Sequence, residues 1–436
     1  MSDSTLRRDL VKSAAAAFTT NLFTGRVFGA NDTLQTAFIG MGRMGLGNMN
    51  AAMKQDKLRV SAVCDVYQPA LDNAVDKTKA QDGGAARAVK DFREILADKS
   101  IDAVCISTPD HWHAYMAVEA CKAGKDVYVE KPISVTIDEG KKMVQAARKY
   151  NRVVQAGTMQ RSAKHFMEAC ELVRQGRVGD VTMVKTWNYG NGKVEGIGNP
   201  PNGKPPADLD WDMWLGPAPK QEFNPNRWGV DPKAFSHFRW FWDFAGGMMT
   251  DWGVHVLDIA RMGMGEPMPK AVSALGQKFL IKDNRDTPDT LSAIYEFPTC
   301  LAQYENRMFN GNSMFKQGYG TMFHGTKGTL FVDRSLYRIH PEPGSPSETP
   351  EVVEVKSSDN SNVRHWANFL ECIRTRQRPN SDIEICYKST VTCLLANISI
   401  LSKQRVDWDA ANDRIAQPEL RKYMSRPERA PWKISV

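Results

Sequence analysis

The fold is decided by the stretch Leu34-Gln-Thr-Ala-Phe-Ile-Gly40-Met-Gly42-Arg-Met-Gly45. Its first six residues predict a short strand, and its glycines form a G-x-G-x-x-G turn that opens a helix. In such a turn the first glycine permits a tight bend, the second lets the backbone approach a pyrophosphate, and the third lets helix and strand pack closely. Free N–H groups at the start of the helix favour anions. The stretch therefore predicts a dinucleotide-binding α/β unit.

An acidic residue follows the next predicted strand. Leu58–Cys64 has strand character and ends at Asp65, twenty residues after Gly45. A carboxylate at this place accepts hydrogen bonds from the adenosine ribose and repels a 2′-phosphate. Asp65 therefore favours NAD over NADP as the cofactor; the alternative interpretation is a plain turn residue.

Strand and helix patterns keep alternating up to residue 157, which predicts a doubly wound parallel sheet over residues 31–157. Ligands of such sheets collect at the C-terminal ends of the strands. Three polar segments follow predicted strands at this edge: Thr108-Pro-Asp-His-Trp-His113, Glu130-Lys-Pro132 and Thr158-Met-Gln-Arg161. A metal held by His111 and His113 beside Asp110 is the weaker alternative, because no third ligand is in view.

The pattern changes after residue 160, where predicted strands follow one another without helices between them. This predicts an α+β domain over residues 158–361 with a large, mostly antiparallel open sheet. The predicted strands are Val181–Asn188, Thr290–Phe297, Leu301–Phe309, Tyr319–His324 and Thr329–Val332. Residues 190–234 and 342–361 are predicted to be irregular. Apolar residues at helical spacing in 362–436 predict helices that pack on the core.

Asp251 and His255 stand four positions apart in a helical stretch, so both are expected on one helical face. A carboxylate beside an imidazole orients the ring and raises its proton affinity, as suits a general base for a hydroxyl proton. The alternative is a core histidine paired only for hydrogen-bond satisfaction. Asp258 shares this face and is predicted to pair with Arg261.

Four motifs together resemble the Gfo/Idh/MocA oxidoreductases, named for glucose–fructose oxidoreductase and inositol dehydrogenase. They are the glycine turn, Thr108-Pro109 with His113, Glu130-Lys131-Pro132, and Gly246-Gly247 followed by Asp251-x-x-x-His255. The resemblance covers nearly all of the chain after residue 33. It implies an NAD-dependent oxidoreductase with a Rossmann domain, a second domain whose open sheet often forms the oligomer interface, and a dimer or tetramer.

The resemblance also implies roles for single residues. Lys131 would contact both nicotinamide ribose and substrate, and would complete a catalytic site with Asp251 and His255. The other implied cofactor contacts are Gly40, Gly42, Arg43, Met44, Gly45, Asp65, Thr108, Pro109, His113, Glu130 and Gln160. Weaker candidates for contacts to substrate hydroxyls are Asn188, Tyr189, Arg239 and Trp240.

Tryptophan is concentrated in one part of the chain, since seven of the eleven lie between residues 187 and 252. Aromatic faces suit the C–H faces of sugars, but tryptophan is also ordinary core and interface material. We expect one or two of the seven to touch substrate.

Composition limits the function further. Of the 436 residues, 42% are hydrophobic and 25% are charged, the balance of a soluble globular protein rather than a disordered chain. The sequence has no uncharged apolar stretch of about 18 residues, so it predicts no membrane span. The net charge of +7 comes without a basic run, which argues against nucleic acid as a partner. The eight cysteines form no C-x-x-C pair, so we expect buried free thiols and no structural zinc.

The first thirty residues resemble an export signal. Arg7 and Arg8 precede a weakly apolar run from Ser13 to Phe23, as in twin-arginine signals. Export would place the protein in the periplasm. The alternative is an N-terminal helix of the fold in a cytoplasmic protein.

These features predict an NAD-dependent enzyme that oxidises a hydroxyl of a sugar, glycoside or cyclitol. If the periplasm holds no soluble NAD pool, an exported enzyme should bind its nucleotide tightly and restore it within each cycle. It could oxidise one sugar and reduce another, or oxidise a sugar transiently and thereby cleave a glycoside or epimerise a carbon. A non-catalytic sugar-binding relative is a further alternative, against which the intact Lys131, Asp251 and His255 argue.

Overall fold

The computed structural model describes residues 32–81, 83–229, 236–314, 316–345 and 350–436. The predicted export signal, residues 1–30, lies outside these ranges. The described residues form two sheets, one in each half of the chain.

The first sheet has six strands: β1 (Leu34–Ile39), β2 (Leu58–Cys64), β3 (Arg87–Val89), β4 (Ala103–Ile106), β5 (Asp126–Val129) and β6 (Val154–Ala156). The helices between them are α1 (Arg43–Ala52), α2 (Gln68–Thr78), α3 (Phe92–Ala97), α4 (Asp110–Lys122) and α5 (Ile137–Lys149). All strand pairs are parallel, in the order β3-β2-β1-β4-β5-β6. The order reverses between β1 and β4, so a crevice opens at the C-terminal ends of these strands. The predicted doubly wound sheet is confirmed.

One helix in this half opens at the crevice. α4 starts at Asp110, directly after Pro109. An acid in the first turn suits the helix dipole. The polar segment after β4 is therefore partly the first turn of a helix that points at the crevice.

The second sheet follows helix α6 (Lys164–Arg174) and has ten strands. They are β7 (Val181–Tyr189), β8 (Ala271–Gln277), β9 (Thr290–Glu296), β10 (Leu301–Arg307), β11 (Tyr319–Gly325), β12 (Gly328–Val332), β13 (Leu336–Pro341), β14 (Val353–Lys356), β15 (Val406–Asp409) and β16 (Arg414–Ile415). The order is β14-β13-β12-β11-β7-β10-β9-β8-β15-β16, and only β7 and β10 pair in parallel. The predicted open, mostly antiparallel sheet is confirmed.

Two segments contain strands that the sequence did not predict. Residues 342–361 were expected to be irregular but contain β14, whose residues alternate between half-exposed and exposed over only four positions. The C-terminal segment was expected to be helical but also adds β15 and β16 to the sheet edge. β14 lies at one edge of the sheet, and β15 and β16 extend the other edge. All three are short, so their alternation of apolar and polar residues is too brief to predict a strand.

The remaining helices are α7 (Trp211–Leu215), α8 (Pro225–Trp228), α9 (Gly247–Asp251), α10 (Gly253–Gly263), α11 (Ser361–Thr375) and α12 (Ile383–Ser402), with 3-10 turns at Met159–Ser162, His237–Trp240 and Pro418–Met424. α10 and α12 supply buried side chains such as Val256 and Leu395 to a core shared by both sheets. By length and composition α12 could cross a membrane, but 72% of its apolar window is buried inside the protein, as in a core helix.

α11 returns to the first sheet rather than to the second. Its Trp366 is fully buried and stacks on Tyr128 of β5 at 4.7 Å, and lies 5.5 Å from Phe38 of β1. The predicted packing of C-terminal helices on the core is thus partly packing on the nucleotide-binding half. All eight cysteines are buried free thiols, as predicted.

The predicted pair of Asp258 with Arg261 is wrong. Asp258 Oδ2 instead accepts from Arg161 Nε at 2.7 Å, and Ser389 Oγ donates to Oδ1 at 2.5 Å. Arg261 turns away and donates to the carbonyl of Pro267 at 2.9 Å. The fork of Arg161 meets the buried carboxylate with two nitrogens, which satisfies it better than a neighbour one turn along the same helix.

Candidate active site

A cleft of about 460 Å³ opens at the C-terminal edge of the parallel sheet, where α9 and α10 of the second half meet it. We call nucleotide side the part lined by the glycine turn, the end of β2 and the start of α4. We call substrate side the part lined by Lys131, Arg239, Asp251, Trp252, His255 and Arg334.

The glycine turn has the shape that a pyrophosphate needs. Gly40 has φ +87°, and a Cβ there would lie 2.7 Å from the backbone of Ser107. A Cβ on Gly45 would lie 1.9 Å from the carbonyl oxygen of Gly40, so this glycine lets α1 approach β1. A Cβ on Gly42 would meet nothing within 4 Å, and Gly42 lines the cleft with Arg43 and Met44. The residues present therefore fit a dinucleotide.

Asp65 lines the nucleotide side beside this turn. Its carboxylate accepts from the backbone N–H of Met41 at 2.6 Å and of Tyr67 at 2.9 Å. Burial raises the pKa of Asp65, and these two hydrogen bonds oppose the rise. Because each carboxylate oxygen can accept a second hydrogen bond, Asp65 can brace the turn and still receive a ribose hydroxyl.

Glu130 and His113 hold the loops of the cleft in place. Glu130 Oε1 accepts from Asn48 Nδ2 at 2.8 Å, and burial raises its pKa. The two ring nitrogens of His113 lie 2.7 Å from the carbonyl oxygen of Pro132 and 2.9 Å from that of Thr108. Burial lowers the pKa of His113 to about 4. His113 thus ties the start of α4 to the Lys131 segment.

Lys131 and Arg239 share the carboxylate of Asp251. Lys131 Nζ lies 2.9 Å from Asp251 Oδ1 and 3.0 Å from its backbone oxygen, and Arg239 Nε lies 2.9 Å from the same Oδ1. Burial would raise the pKa of Asp251, but Lys131 and Arg239 outweigh it and hold the pKa well below its usual range. Asp251 is therefore a fixed negative charge that positions two cations in the cleft.

His255 lines the cleft but is not paired with Asp251 as the sequence suggested. The helix breaks at Trp252, so that Asp251 ends α9 and His255 lies in the first turn of α10. Among the described residues its buried Nδ1 has no hydrogen-bond partner. Burial, then Lys131 and Arg334, lowers the pKa of His255 well below 6.5, and Asp251 opposes this only in part. The expected rise in proton affinity is wrong; the imidazole is neutral at pH 7 and free to accept a proton.

Asp110 is a cleft residue that the sequence suggested only as part of a weak metal site. It lies in the first turn of α4 and lines the cleft. Burial raises its pKa to about 7, with Asp251 and Glu130 adding to the rise and Arg239 opposing it. Its position directly after β4 is the signal that could have found it. Within the described ranges, no group of three or more His, Cys, Asp or Glu side chains is arranged to hold a metal ion.

Three of the four substrate candidates lie outside the cleft. Asn188 is buried within the second sheet, where Asn306 Nδ2 donates to its backbone oxygen at 2.8 Å. Tyr189 packs beneath the guanidinium of Arg307 at 3.6 Å. Trp240 packs in an aromatic core. These three side chains are packed within the sheet or the aromatic core and do not reach the cleft. Of the four candidates, only Arg239 lines the cleft.

Gln160 does not line the cleft either; its Oε1 lies 3.4 Å from Arg334 Nη2, behind the wall. Thr108, Pro109, Glu130 and Lys131, in contrast, all line it. Of the seven clustered tryptophans, the three that line the cleft are Trp214, Trp228 and Trp252.

A segment of the second half crosses to the nucleotide-binding half; we call it the strap, residues 191–228. Asp210 N donates to the carbonyl of Val66 at 3.1 Å, and Gln68 N donates to that of Asp208 at 3.1 Å. The ring of Trp228 lies 5.0 Å from that of Tyr67. The strap therefore closes the nucleotide side directly beyond Asp65.

The strap is also fastened to α4. The carbonyl oxygen of Trp214 lies 3.0 Å from Trp112 Nε1 and 3.0 Å from His111 Nε2. Arg429, in the C-terminal tail, forms an ion pair of 2.7 Å with Asp212. Burial lowers the pKa of His111 to about 3, so this contact is made by a neutral imidazole.

The fold and cleft define a dinucleotide-binding α/β protein with a second sheet domain that closes the site. The sequence model of the Gfo/Idh/MocA oxidoreductase family with NAD-binding Rossmann fold matches residues 34–158. The model of the family's C-terminal alpha/beta domain matches residues 177–434. The chain belongs to the Gfo/Idh/MocA oxidoreductase family.

Several named proteins are similar to parts of this chain. A glycosyl hydrolase family 109 protein of Shewanella baltica is 29% identical over 154 residues, which cover 34% of each protein. Inositol 2-dehydrogenase of Salmonella paratyphi B is 30% identical over 159 residues, 36% of this chain and 46% of that enzyme. The chain thus matches less than half of the length of either relative.

The fold is shared with solved structures over a greater length. The WlbA dehydrogenase of Chromobacterium violaceum, crystallised with NADH and UDP-GlcNAcA, superposes with a TM-score of 0.65 over 89% of this chain and 99% of that one. Its sequence identity is 18%, so the likeness concerns the fold.

Proposed function

We propose that this protein is an NAD-dependent oxidoreductase that oxidises a hydroxyl of a sugar, a glycoside or a cyclitol. The observation that carries the proposal is the substrate side of the cleft, where neutral His255 lies beside the Lys131–Asp251–Arg239 cluster. The glycine turn lines the same cleft. Membership of the family and the likeness to inositol 2-dehydrogenase support the choice of substrate class.

In this proposal His255 accepts the proton of the substrate hydroxyl as the C–O bond becomes a carbonyl. Bound NAD would supply the acceptor for the hydride that leaves the same carbon. The ammonium group of Lys131, fixed by Asp251, stabilises the negative charge that develops on the substrate oxygen. Asp251 itself stays ionised and keeps Lys131 and Arg239 in position. Glu130 holds the Lys131 loop to α1 through Asn48, and His113 holds it to α4.

The strap supports the further proposal that the cofactor is held tightly. It covers the nucleotide side at Val66 and Tyr67, beside Asp65, and is bound to α4 through Trp214. We expect these contacts to slow the release of a nucleotide from the cleft. Tight binding would suit an enzyme that restores its cofactor within each turnover. Asp65 supports NAD over NADP as that cofactor.

The test begins with protein purified without added nucleotide, which is denatured so that any released nucleotide can be identified. Stoichiometric NAD or NADH supports the proposal of a captive cofactor. Protein that is empty, and that oxidises sugars only with added NAD, would contradict tight binding and leave an ordinary dehydrogenase. Empty protein that oxidises no sugar, glycoside or cyclitol even with NAD would contradict the proposed activity.

A redox-neutral glycosidase is the second candidate, and the similarity to glycosyl hydrolase family 109 proteins favours it. In such a cycle bound NAD would oxidise a sugar hydroxyl with His255 as the base, and the resulting ketone would acidify the neighbouring C–H and permit elimination of the aglycone. Addition of water and return of the hydride would then give the free sugar and restore NAD. Incubation of the purified protein with a panel of nitrophenyl glycosides distinguishes the two. Release of nitrophenol without net NADH would favour the glycosidase, and net NADH would favour the dehydrogenase.

We also propose export to the periplasm through the twin-arginine route, on the sequence of Arg7 and Arg8. Cell fractionation tests this, with a variant in which both arginines are replaced by lysine. Wild type should lie in the periplasm and the variant in the cytoplasm. Equal cytoplasmic location of both would contradict the proposal.

A homo-oligomer is proposed from one face of the second sheet. Leu275, Ile294 and Leu301 lie on neighbouring strands and are 80%, 50% and 48% exposed. Apolar side chains gathered on an open sheet suit burial against a second copy. Light scattering on the purified protein tests this, and a monomer at micromolar concentration would contradict it.

A further inference from the structure

Arg334 enters the substrate side from a turn that is fixed on both sides. The turn joins β12 to β13, and Asp333 Oδ1 accepts there from the backbone N–H of Ser335 at 2.7 Å and of Leu336 at 3.0 Å. His165 Nε2 lies 2.8 Å from the carbonyl oxygen of Asp333. The backbone that carries Arg334 is therefore held in one geometry, so the direction of its side chain is set in advance.

The guanidinium of Arg334 lies over the ring of Trp252, 4.9 Å from its centroid, and lines the cleft with His255. Its one hydrogen bond among the described residues is the 3.4 Å contact of Nη2 with Gln160, and its buried Nε has no partner there. Burial lowers the pKa of Arg334, and Tyr319 and Asp251 oppose this only in part.

Two other buried arginines have close carboxylate partners. Arg161 lies 2.7 Å from Asp258, and Arg285 lies 2.8 Å from Asp283. No carboxylate of the described residues lies within 4.0 Å of the Arg334 guanidinium. An uncompensated cation in a partly buried site is unfavourable, and a bound anion removes that cost.

We propose that Arg334 binds a carboxylate of the substrate, so that the substrate is an acidic sugar or an acidic glycoside. This rests on the proposed function and narrows it. A guanidinium placed over an indole ring still offers its planar N–H edge, which matches a planar carboxylate. A phosphate dianion would need a second cation, and the nearby Lys131 and Arg239 are already paired with Asp251.

Trp252 has a second part in this arrangement. It separates α9 from α10 and places His255 in the first turn of α10, while its ring supports Arg334. The carboxylate site and the base are therefore fixed to the same residue. A sugar held by its carboxylate at Arg334 presents a ring hydroxyl to His255 in a defined register.

Matched substrates test the proposal on the nucleotide-loaded protein. The probes are methyl glucoside, methyl galactoside and methyl mannoside, each compared with the corresponding methyl uronide, with glucose 6-phosphate as the phosphate probe. Binding is measured by calorimetry and turnover by kcat/KM. In wild type at least one uronide should bind and react at least about 10-fold better than its neutral partner, which corresponds to one charge-assisted contact.

Three variants complete the test. Arg334→Gln should bring the ratio of acidic to neutral substrate close to one, and Arg334→Lys should restore part of it. Arg338→Gln removes the same charge from the protein surface, where Arg338 pairs with Glu354 at 2.5 Å, and should keep the wild-type ratio.

Several results would overturn the proposal. No preference of wild type for any uronide, or a preference for glucose 6-phosphate over every uronide, would contradict it. Equal weakening of acidic and neutral partners by Arg334→Gln would also contradict it, because Arg334 would then only support Trp252. The calorimetric binding measurement separates failure of this proposal from failure of the proposed function. Binding of uronides that depends on Arg334 but comes without turnover would contradict the proposed oxidoreductase activity and still support the carboxylate site.

Discussion

Lys131 Nζ lies 2.9 Å from Asp251 Oδ1, and this ion pair joins the nucleotide-binding half to the second half inside the cleft. Arg239 contacts the same oxygen at 2.9 Å. All three side chains are largely buried. The carboxylate of Asp251 therefore neutralises two buried cations and fixes their positions. The arrangement of the side chains on the substrate side depends on this carboxylate.

Asp251→Asn should be damaging to both stability and turnover. The amide keeps the volume but leaves Lys131 and Arg239 without their counter-charge, and breaking a buried ion pair costs about 3–5 kcal/mol. Denaturant unfolding and kcat/KM measure the two effects. The control is Glu354→Gln, which breaks the more exposed pair with Arg338 and should cost at most about 1 kcal/mol. Equal losses in the two variants would refute the role of Asp251.

His255→Ala should abolish turnover and leave nucleotide binding intact. The imidazole is neutral and faces the substrate side, whereas the contacts of the nucleotide side come from the glycine turn and Asp65. A positioned base contributes about 10²- to 10⁴-fold to the rate. The measurement pairs single-turnover kinetics with nucleotide titration. Normal turnover by the variant would show that another group accepts the proton.

Alanine substitutions at two glycines of the same turn should have different effects, one on nucleotide binding and the other on stability. In Gly42→Ala the new methyl group meets nothing in the protein within 4 Å, so the protein should fold with an unchanged Tm but bind NAD more weakly, because the methyl group occupies the phosphate path. In Gly45→Ala the methyl group would lie 1.9 Å from the Gly40 oxygen, so the Tm itself should fall. Thermal unfolding and nucleotide titration of both variants check this; a stable Gly45→Ala with wild-type affinity would contradict the assigned packing role.

The pH profile of kcat/KM should show an ionisation near pH 7 that belongs to Asp110. The pKa of this cleft carboxyl is raised to about 7 by burial, and its ionisation adds a negative charge near Lys131 and Arg239. Asp110→Asn should remove that limb of the profile. A limb that persists unchanged in the variant would assign it to another group.

Stability gives an independent check on Asp110. Its pKa in the folded protein lies above its ordinary value of 3.8, so the folded state binds more protons between these values. The contribution of Asp110 to the free energy of unfolding should therefore fall as the pH rises from about 4 to about 7, and should stay constant above that. Relative to wild type, Asp110→Asn should gain stability over this range. A difference in Tm that does not change with pH would contradict the raised pKa.

Removal of the buried carboxylate of Asp258 should destabilise the protein without involving the cleft. Among the described residues, Asp258→Asn leaves Arg161 with the partly exposed Glu266 as its one carboxylate partner, and an expected loss of about 3–5 kcal/mol follows from breaking a buried pair. Any protein that remains folded should keep its nucleotide affinity. A loss of affinity greater than the loss of folded protein would place Asp258 in the site.

The sequence could predict the features that are local or that follow from strand order. Gly40, Gly42 and Gly45 lie in one turn after a strand, and Lys131 directly follows a parallel strand. The motifs therefore also place these four residues at the edge of the sheet where the cleft lies. The position of Asn188 and Tyr189 relative to the cleft could not be predicted, because it depends on which distant residues, Asn306 and Arg307, pack against them.

Other parts of the site depend on contacts between distant segments. Arg334 comes from an ordinary turn 82 residues after Trp252, and only the folded sheet brings the two together. Asp251 and His255 have the spacing of a helical pair, but the helix breaks between them at Trp252. Lys131, 120 residues earlier in the chain, then takes the carboxylate that the spacing had assigned to the histidine.

The stacking of Trp366 on Tyr128 has a consequence for the order in which the protein is made. A ribosome that has released the first six strands has not yet synthesised the helix that covers Phe38 and Tyr128. In the nascent nucleotide-binding half this apolar surface stays exposed to solvent, or bound by a chaperone, until more than two hundred further residues have been synthesised. The nucleotide-binding half can therefore complete its core only after synthesis is nearly finished, and a fragment ending at residue 158 should aggregate rather than serve as a free-standing binding module.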